Sequence, residues 1–293
     1  MTDSNHSSMN EKILACVDGS IYTDSVCAHT AWASQRLNAP VQVLHLLSPG
    51  TDYTRPSDYS GAIGLGVKSA LLEKLTQLDE AQGKLEQQKG KLILEHAKEM
   101  MTEQGVSEVH TLHRRGSLVE TISEIEGEAQ LIVLGKRGED ADFATMHLGS
   151  NLERSVRAAH KPVLVASRGF QAINRFVIAY DGGPSIVKAM EYALSKPLLK
   201  GLECHLLKVG ADTEKNQRSL ADAATTLERA GYSIQTKIAQ GQADEVIADY
   251  VKSQEIDLLI MGAYGHSHIR TLIIGSTTSS MLRTCLIPVL MFR

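Results

Sequence analysis

The chain has 293 residues, 43% hydrophobic and 22% charged, which is typical of a globular protein of about two domains. Its net charge of −4 argues against a general nucleic-acid binder, and no apolar run approaches the roughly 20 residues that cross a bilayer. The polar start lacks the apolar centre of a secretion signal, so we expect a cytoplasmic protein.

The first predicted elements are a strand, a helix and a second strand. The apolar run "KILACV" ends at Asp18 and a glycine, and "VQVLHLL" (Val41 to Leu47) has the same strand character. Between them, apolar residues recur three or four apart, which predicts a helix. The four cysteines are scattered without metal-finger spacing, and we expect buried, reduced thiols at Cys16 and Cys204, which lie in strand-like apolar runs.

A long insertion follows, at about 49–100. Its first part is rich in Gly, Pro and Ser and is typical of a loop. Its second part carries a helical stripe of leucines, diluted by Gln82 and Lys89, at Leu71, Leu75, Leu78, Leu85 and Leu92. We expect a lengthened helix packed on its own sheet; the alternative is a helix that docks a partner or a second copy.

Comparison of the first and second halves of the chain shows an internal sequence repeat. "KILACVDGS" is matched by "RFVIAYDGG", "RRGSLVETI" by "AQGQADEVI", and "AQLIVLGKRG" by "IDLLIMGAYG". The closing blocks "HLGSNLERSVRAAHKPVLVASR" and "IIGSTTSSMLRTCLIPVLMFR" also correspond. Matching blocks in the same order indicate a duplication, with domains at 1–168 and 169–293.

In each half, five strands alternate with four helices. This alternation predicts an α/β fold, with two tandem, open, mostly parallel five-stranded sheets of Rossmann-like type and helices on both faces. The final strands of the two halves occupy corresponding positions, and exposed edge strands invite pairing.

A cluster of glycines and hydroxyls, "IMGAYGHSHIRTLIIGSTTSS", begins at Ile260. Gly262 and Gly265 end a strand, where the backbone can approach a ligand closely. Gly275 and Ser276 precede a helix, whose free N–H groups and positive dipole end favour an anion. Glycines can simply end a strand, and Ser or Thr can simply cap a helix, so neither group alone indicates a ligand. Because both groups occur together and recur in both halves, they favour a phosphate ligand.

These residues resemble the nucleotide signature of the universal stress protein family, and specifically of its tandem members. The signature is G, two residues, G, nine residues, G, then Ser or Thr, and the second half matches it without a gap. Asp181 matches the acidic residue that ends the first strand in the family. The resemblance covers nearly the whole chain, and it implies that the final strands pair between the two domains, so that the halves pack as an internal pseudo-dimer. A further homodimer is an open alternative.

The resemblance implies an ATP site, with Mg²⁺ or Mn²⁺ shared between protein and phosphates. It would place Asp181 at the adenosine end and the backbone of Val209 at adenine. The ribose and phosphates would be lined by Met261, Gly262, Tyr264 and Gly265, and the phosphates held by Gly275, Ser276, Thr277 and Thr278. His266 and His268 are expected to be exposed loop residues.

The first half departs from this pattern. Its corresponding residues are Asp18, Leu46, Gly135, Arg137, Gly138, Gly149 and Ser150, with ten residues between the inner glycines. Glu139, Asp140 and Asp142 add negative charge there, which Lys136 and Arg137 offset in part. Asn151 and Leu152 replace two threonines, so we expect the second half to bind ATP more tightly.

Three functions compete. The first is a nucleotide-binding stress-response regulator that acts on a protein partner the sequence does not identify. The second is a slow metal-dependent ATPase, although no strong catalytic set is evident, so we assign no catalytic residue and no protein-only metal site. The third is a structural module that binds no nucleotide. The sequence supports neither a membrane nor a nucleic acid as a partner.

Overall fold

The computed structural model describes residues 11–47, 65–136, 150–263 and 276–293, with only the backbone given for 65–72, 150 and 276. The first half contains β1 (Lys12–Val17), α1 (Thr23–Leu37), β2 (Val41–Leu47), α2 (Leu65–Glu103), β3 (Val109–Arg115), α3 (Leu118–Ile125), β4 (Ala129–Gly135), α4 (Ser150–Ala158) and β5 (Val163–Ala166). The predicted alternation of strands and helices is confirmed.

The second half repeats the same order. It contains β6 (Arg175–Ala179), α5 (Pro184–Ser195), β7 (Glu203–Val209), α6 (Glu214–Arg229), β8 (Ile234–Ala239), α7 (Ala243–Ser253), β9 (Leu258–Gly262), α8 (Ser276–Thr284) and β10 (Val289–Phe292). Short 3-10 turns at Glu126–Glu128 and Pro197–Leu199 add to these elements. No helix in the described ranges is both long enough and apolar enough to span a membrane.

All ten strands form one sheet, in the order β3-β2-β1-β4-β5-β10-β9-β6-β7-β8. Each half is parallel within itself, and the halves join where β5 and β10 pair antiparallel, with Leu164 opposite Leu290. The prediction of two mostly parallel five-stranded units is therefore confirmed, with the refinement that they form one continuous sheet. The final strands serve as the seam of an internal pseudo-dimer.

Each face of the sheet is covered by four of the described helices. The core of one face includes Val26 of α1, Met101 of α2, Ile186 of α5 and Leu220 of α6. The core of the other face draws on α3, α4, α7 and α8, with Ile122, Leu152, Ile247 and Met281. Both cores run through the two halves without a break, because apolar side chains alternate between the faces of the buried central strands.

Cations also link the halves at the ends of helices. Lys136, directly after β4, is buried and donates to the carbonyl of Cys285, which follows α8. Arg293, at the other end of the seam, donates to the carbonyl of Arg157 in α4. A cation at a helix C-terminus satisfies carbonyls without an intrahelical donor and complements the negative end of the dipole. Each half therefore caps a helix of the other.

The lengthened helix α2 packs on its own sheet, as expected, but the predicted leucine stripe is not the face that meets the sheet. The side chain of Leu71 lies outside the described residues. Leu78, Leu85 and Leu92 are each about two-thirds exposed, and Leu75 is 37% exposed. The residues of α2 that reach the core lie on another face of the helix and are Gly90, Leu94, Ala97 and Met101. Gly90 is needed there, because a Cβ would stand 2.4 Å from Nε2 of His113.

Candidate functional site

The predicted site of the second half lies at the carboxyl edge of three neighbouring strands. β6 lies between β9 and β7, and all three are parallel, so Gly262, Asp181 and Val209 follow one another along the same edge. The chain leaves β6 toward β7 on one side and returns to β9 on the other. Such a reversal of strand order opens a crevice in which ligands of α/β sheets bind.

Asp181 is exposed and held in a fixed orientation at this edge. Its Oδ1 accepts a hydrogen bond of 2.7 Å from the backbone N–H of Gly183, which precedes α5. A Cβ on Gly183 would stand 3.1 Å from that oxygen, and Gly182 has φ +75°. The two glycines therefore let the chain turn tightly around the carboxylate, which is exposed at this edge.

The backbone of Val209 faces the same crevice. The carbonyl of Leu207 accepts from Tyr180 N–H, whereas Gly210 N–H donates to the carbonyl of Ala239 in β8. Backbone groups alternate in direction along a strand, so those of Val209 point to the side of β6, beyond the end of that strand. The geometry therefore offers one donor and one acceptor beside Asp181, the pair with which a base edge can be recognised.

The third part of the site is the N-terminus of α8. The helix begins at Ser276, and its first turn carries no acidic residue. Its first four N–H groups lack intrahelical acceptors and make this end attractive to an anion. Thr277 is half-buried, and Thr278 is 3% exposed with its hydroxyl 3.4 Å from the Gly262 carbonyl. That contact ties the helix start to the end of β9.

Met261 reaches the site by its backbone alone, because its side chain is buried in the core of one sheet face. Tyr264, Gly265 and Gly275, and the loop histidines His266 and His268, lie outside the described residues. The same holds for the side chain of Ser276. The described site therefore consists of three strand ends and one helix start.

The corresponding edge of the first half has the same arrangement of strands, but different residues surround it. β1 lies between β4 and β2, which brings Gly135, Asp18 and Leu46 to one edge, and Asp18 accepts from Ser20 N–H at 3.1 Å. Ile93 of α2 lies on the turn after β1, so that a Cβ on Gly19 would stand 2.7 Å from its terminal carbon. Among the described residues, the nearest atom to a Cβ on Gly182 would be the Tyr180 hydroxyl at 3.8 Å, so this turn has no equivalent close cover there.

The first turn of α4 differs in charge from that of α8. It contains Glu153, and Leu152 is buried in the core at the place where Thr278 contacts Gly262. Lys136 is engaged with the carbonyls of Cys285 and Ile287, which directs its charge to the second half. Arg137, Gly138 and Gly149, and the side chain of Ser150, lie outside the described residues.

Sequence reasoning missed a groove next to the second site. It lies between α5 and α6, has a volume of about 920 Å³, and is lined at one end by Tyr180. The Tyr180 hydroxyl is 3.1 Å from Ser219 Oγ, and Nζ of Lys208 lies 5.2 Å from the ring centroid. One feature of the sequence could have indicated this groove. Tyr180 directly precedes Asp181, whereas the corresponding residue before Asp18 in the first half is the buried Val17.

The cysteines supply no nucleophile. Burial raises the pKa of Cys27 to about 12, and burial together with the nearby Asp18 charge raises the pKa of Cys16. All four cysteines are free thiols, as expected for Cys16 and Cys204. Among the described residues, no group of three or more His, Cys, Asp or Glu gathers closely enough to hold a metal ion.

Comparisons with known proteins agree with this architecture. A model of the "Universal stress protein family" matches residues 9–167 and again 172–293. A universal stress protein of Synechocystis is 39% identical over 286 residues, which is 97% of this chain and all of that protein. A Mycobacterium bovis universal stress protein is 23% identical over 96% of both chains.

Solved structures with both halves also share the fold. A universal stress protein from Archaeoglobus fulgidus superimposes with a TM-score of 0.72 at 20% identity, covering 97% of this chain and 99% of its own. A putative universal stress protein from Pseudomonas aeruginosa superimposes with a TM-score of 0.61 at 16% identity, covering 97% of this chain and 93% of its own. At these identities the likeness concerns the fold alone.

Proposed function

The chain belongs to the universal stress protein family as a member with two such domains, and on that premise we propose that it binds ATP, mainly in the second domain. We propose further that it acts in the cytoplasm as a nucleotide-dependent regulator of a stress response. The observation that supports the ATP proposal is the edge along which Val209, Asp181 and the start of α8 follow one another, an order that would suit the base, ribose and phosphates of a nucleotide.

The chemistry of these groups fits a nucleotide. The Asp181 carboxylate accepts hydrogen bonds and suits a ribose hydroxyl or an exocyclic amine. The α8 N-terminus, without an acidic side chain in its first turn, suits phosphate oxygens. Gly262 leaves the end of β9 without a side chain, so the phosphates have room to approach the backbone.

A divalent cation would be held mainly by the phosphates, since the described residues include no cluster of three metal ligands. Bound there, Mg²⁺ or Mn²⁺ would neutralise phosphate charge. The role of this chain's residues is to bind and orient the nucleotide. No described cysteine has a lowered pKa, and the raised pKa values of Cys16 and Cys27 remove thiolates as nucleophiles.

The two domains are proposed to differ in affinity. In the first domain Ile93 covers the turn that follows Asp18, and Glu153 stands in the first turn of the helix that would face the phosphates. A negative side chain at a helix N-terminus competes with an anionic ligand for the same positive potential. The described part of the second domain has neither a side chain packed this closely on the turn after Asp181 nor an acidic residue in the first turn of α8.

The experiment separates a regulator from an ATPase and from a structural module. Protein purified without added nucleotide is denatured and the supernatant is analysed for released nucleotide, then native protein is incubated with labelled ATP and Mg²⁺. Bound ATP without turnover supports the proposed regulator. Sustained release of ADP would replace it with an ATPase, and no nucleotide in either test would replace it with a structural module.

A further inference from the structure

The exposed leucines of α2 form a continuous stripe, which we call the α2 stripe: Leu75, Leu78, Leu85 and Leu92. Three of them are 65–66% exposed, and Leu75 is 37% exposed. Single exposed leucines are common on protein surfaces, but a row at helical spacing marks a surface for contact. No described residue buries this row.

The stripe points away from the body of the protein. Gly90, Leu94 and Ala97 are buried where α2 packs on the sheet and on α1. At about 100° per residue, Leu92 lies roughly 140–200° around the helix from these positions. The chain's own core therefore holds one face of α2 and leaves the opposite face to another molecule.

The N-terminal part of α2 extends beyond the sheet. From Glu73 to Lys89 every residue is exposed except the half-buried Gly83. This stretch is about 25 Å long at 1.5 Å per residue. Most helical stability in proteins comes from packing of an apolar face, and within the described residues this stretch has no such packing. A partner along the stripe would supply that packing.

The spacing of the stripe follows a heptad. With Leu75 at position a, Leu78, Leu85 and Leu92 occupy successive d positions, and Gln82 and Lys89 occupy the next two a positions. Leucine at d is characteristic of two-stranded coiled coils, and polar residues at a define register while lowering stability. The pattern therefore fits another helix of the same kind.

We propose that a second copy of this chain occupies the stripe, with the two α2 helices in a parallel coiled coil. In this register Lys74 at position g lies opposite Asp79 at position e of the other copy, and no like charges face each other at the remaining e and g positions. An antiparallel pair with Leu75 opposite Leu92 would place Asp79 beside Glu86 twice.

The pairing of the final strands within one chain also favours dimerisation through α2 rather than through the sheet. β5 and β10 pair within one chain, so neither is free to pair with a second copy. The body lies behind α2, on the face opposite the stripe, so that two bodies would flank the paired helices on their outer sides. The proposal does not depend on ATP binding.

The first test is the mass of the full-length protein in solution without nucleotide, by sedimentation equilibrium over a concentration series. We expect twice the chain mass of 31.9 kDa for the unaltered protein. Leu78→Lys/Leu85→Lys should be monomeric, and Gln77→Lys/Gln87→Lys, with the same charge change on exposed sites off the stripe, should remain dimeric. A monomeric unaltered protein or a dimeric leucine variant would overturn the proposal.

The second test checks the orientation and does not depend on disrupting the dimer. In a parallel pair, Leu85 lies opposite Leu85 of the other copy, whereas Gln87 faces outward. Leu85→Cys should therefore form a disulfide-linked dimer on mild oxidation, and Gln87→Cys should not. Equal cross-linking of both variants, or none of either, contradicts the parallel coiled coil. Far-ultraviolet circular dichroism of all variants verifies that α2 remains helical.

Discussion

His29 makes the stability of this protein depend on pH in a way that can be calculated. Its ring, on α1, is buried, with Nδ1 2.7 Å from the Ser25 carbonyl oxygen and its centroid 5.0 Å from the ring centroid of Phe170 in the loop after β5. Nε2 has no hydrogen-bond partner in the part of the chain that the structure describes. Burial lowers the pKa of His29 from 6.5 to about 4, and the nearby Lys136 charge adds to that shift.

A histidine pKa that is lower in the folded state favours folding while the ring is neutral. The stability that His29 provides is therefore complete above pH 6.5, the unfolded pKa, and is lost as pH falls through 6.5 toward about 4. At 1.36 kcal/mol per pKa unit, lowering the pH from 7 to 5 should remove about 2 kcal/mol through this residue.

The assay is urea unfolding at pH 7 and pH 5 for the unaltered protein and for His29→Phe. The variant lacks the titrating group, so the unaltered protein should lose about 2 kcal/mol more than the variant between these two pH values. His110→Asn is the control, because His110 is about half exposed and forms only a surface ion pair with Glu108. Equal losses in the unaltered protein and His29→Phe would refute the reasoning.

Two further predictions concern packing and the link between the halves. Gly90→Ala should lose about 1–3 kcal/mol of unfolding free energy because the new methyl would overlap His113, whereas Gly83→Ala, in open space on the same helix, should cause no loss. Destabilisation by both would contradict the packing of α2. Lys136→Met should lose about 1–3 kcal/mol because it leaves buried carbonyls after α8 unpaired, and the exposed Lys98→Met should stay within about 0.5 kcal/mol in the same urea titration. Equal midpoints for both lysine variants would contradict the proposed cap.

Much of the architecture could be predicted from the sequence because the repeats and apolar periodicities are local signals. The two matching series of blocks indicated ten strands, and strand-end aspartates placed Asp18 and Asp181 at carboxyl edges, where the structure has them. The pairing of β5 with β10 was implied by the resemblance to the family, because the final strands of the two halves occupy corresponding positions. Placing these residues at a sheet edge requires only the direction of each strand, and alternation of strands and helices predicts that the strands of each half are parallel.

Other features depend on which surfaces meet in three dimensions. The leucine stripe of α2 and its packed face have similar periodicities, so the sequence could not tell which one faces the sheet; the small Gly90 against two imidazoles decides it. The role of Lys136 also escaped prediction. It follows a glycine at a strand end, where its charge was expected to offset part of the negative charge of the following loop, but its long side chain reaches the other half.

The central claim is that the second domain is the principal ATP site, and isothermal titration with MgATP tests it most directly. The matched variants are Asp181→Ala and Asp18→Ala, which remove the corresponding carboxylate from each domain. The account predicts about one ATP per chain, at least roughly tenfold weaker binding for Asp181→Ala, equivalent to about 1.4 kcal/mol, and little change for Asp18→Ala. Two equal sites, or a loss of binding confined to Asp18→Ala, would contradict it.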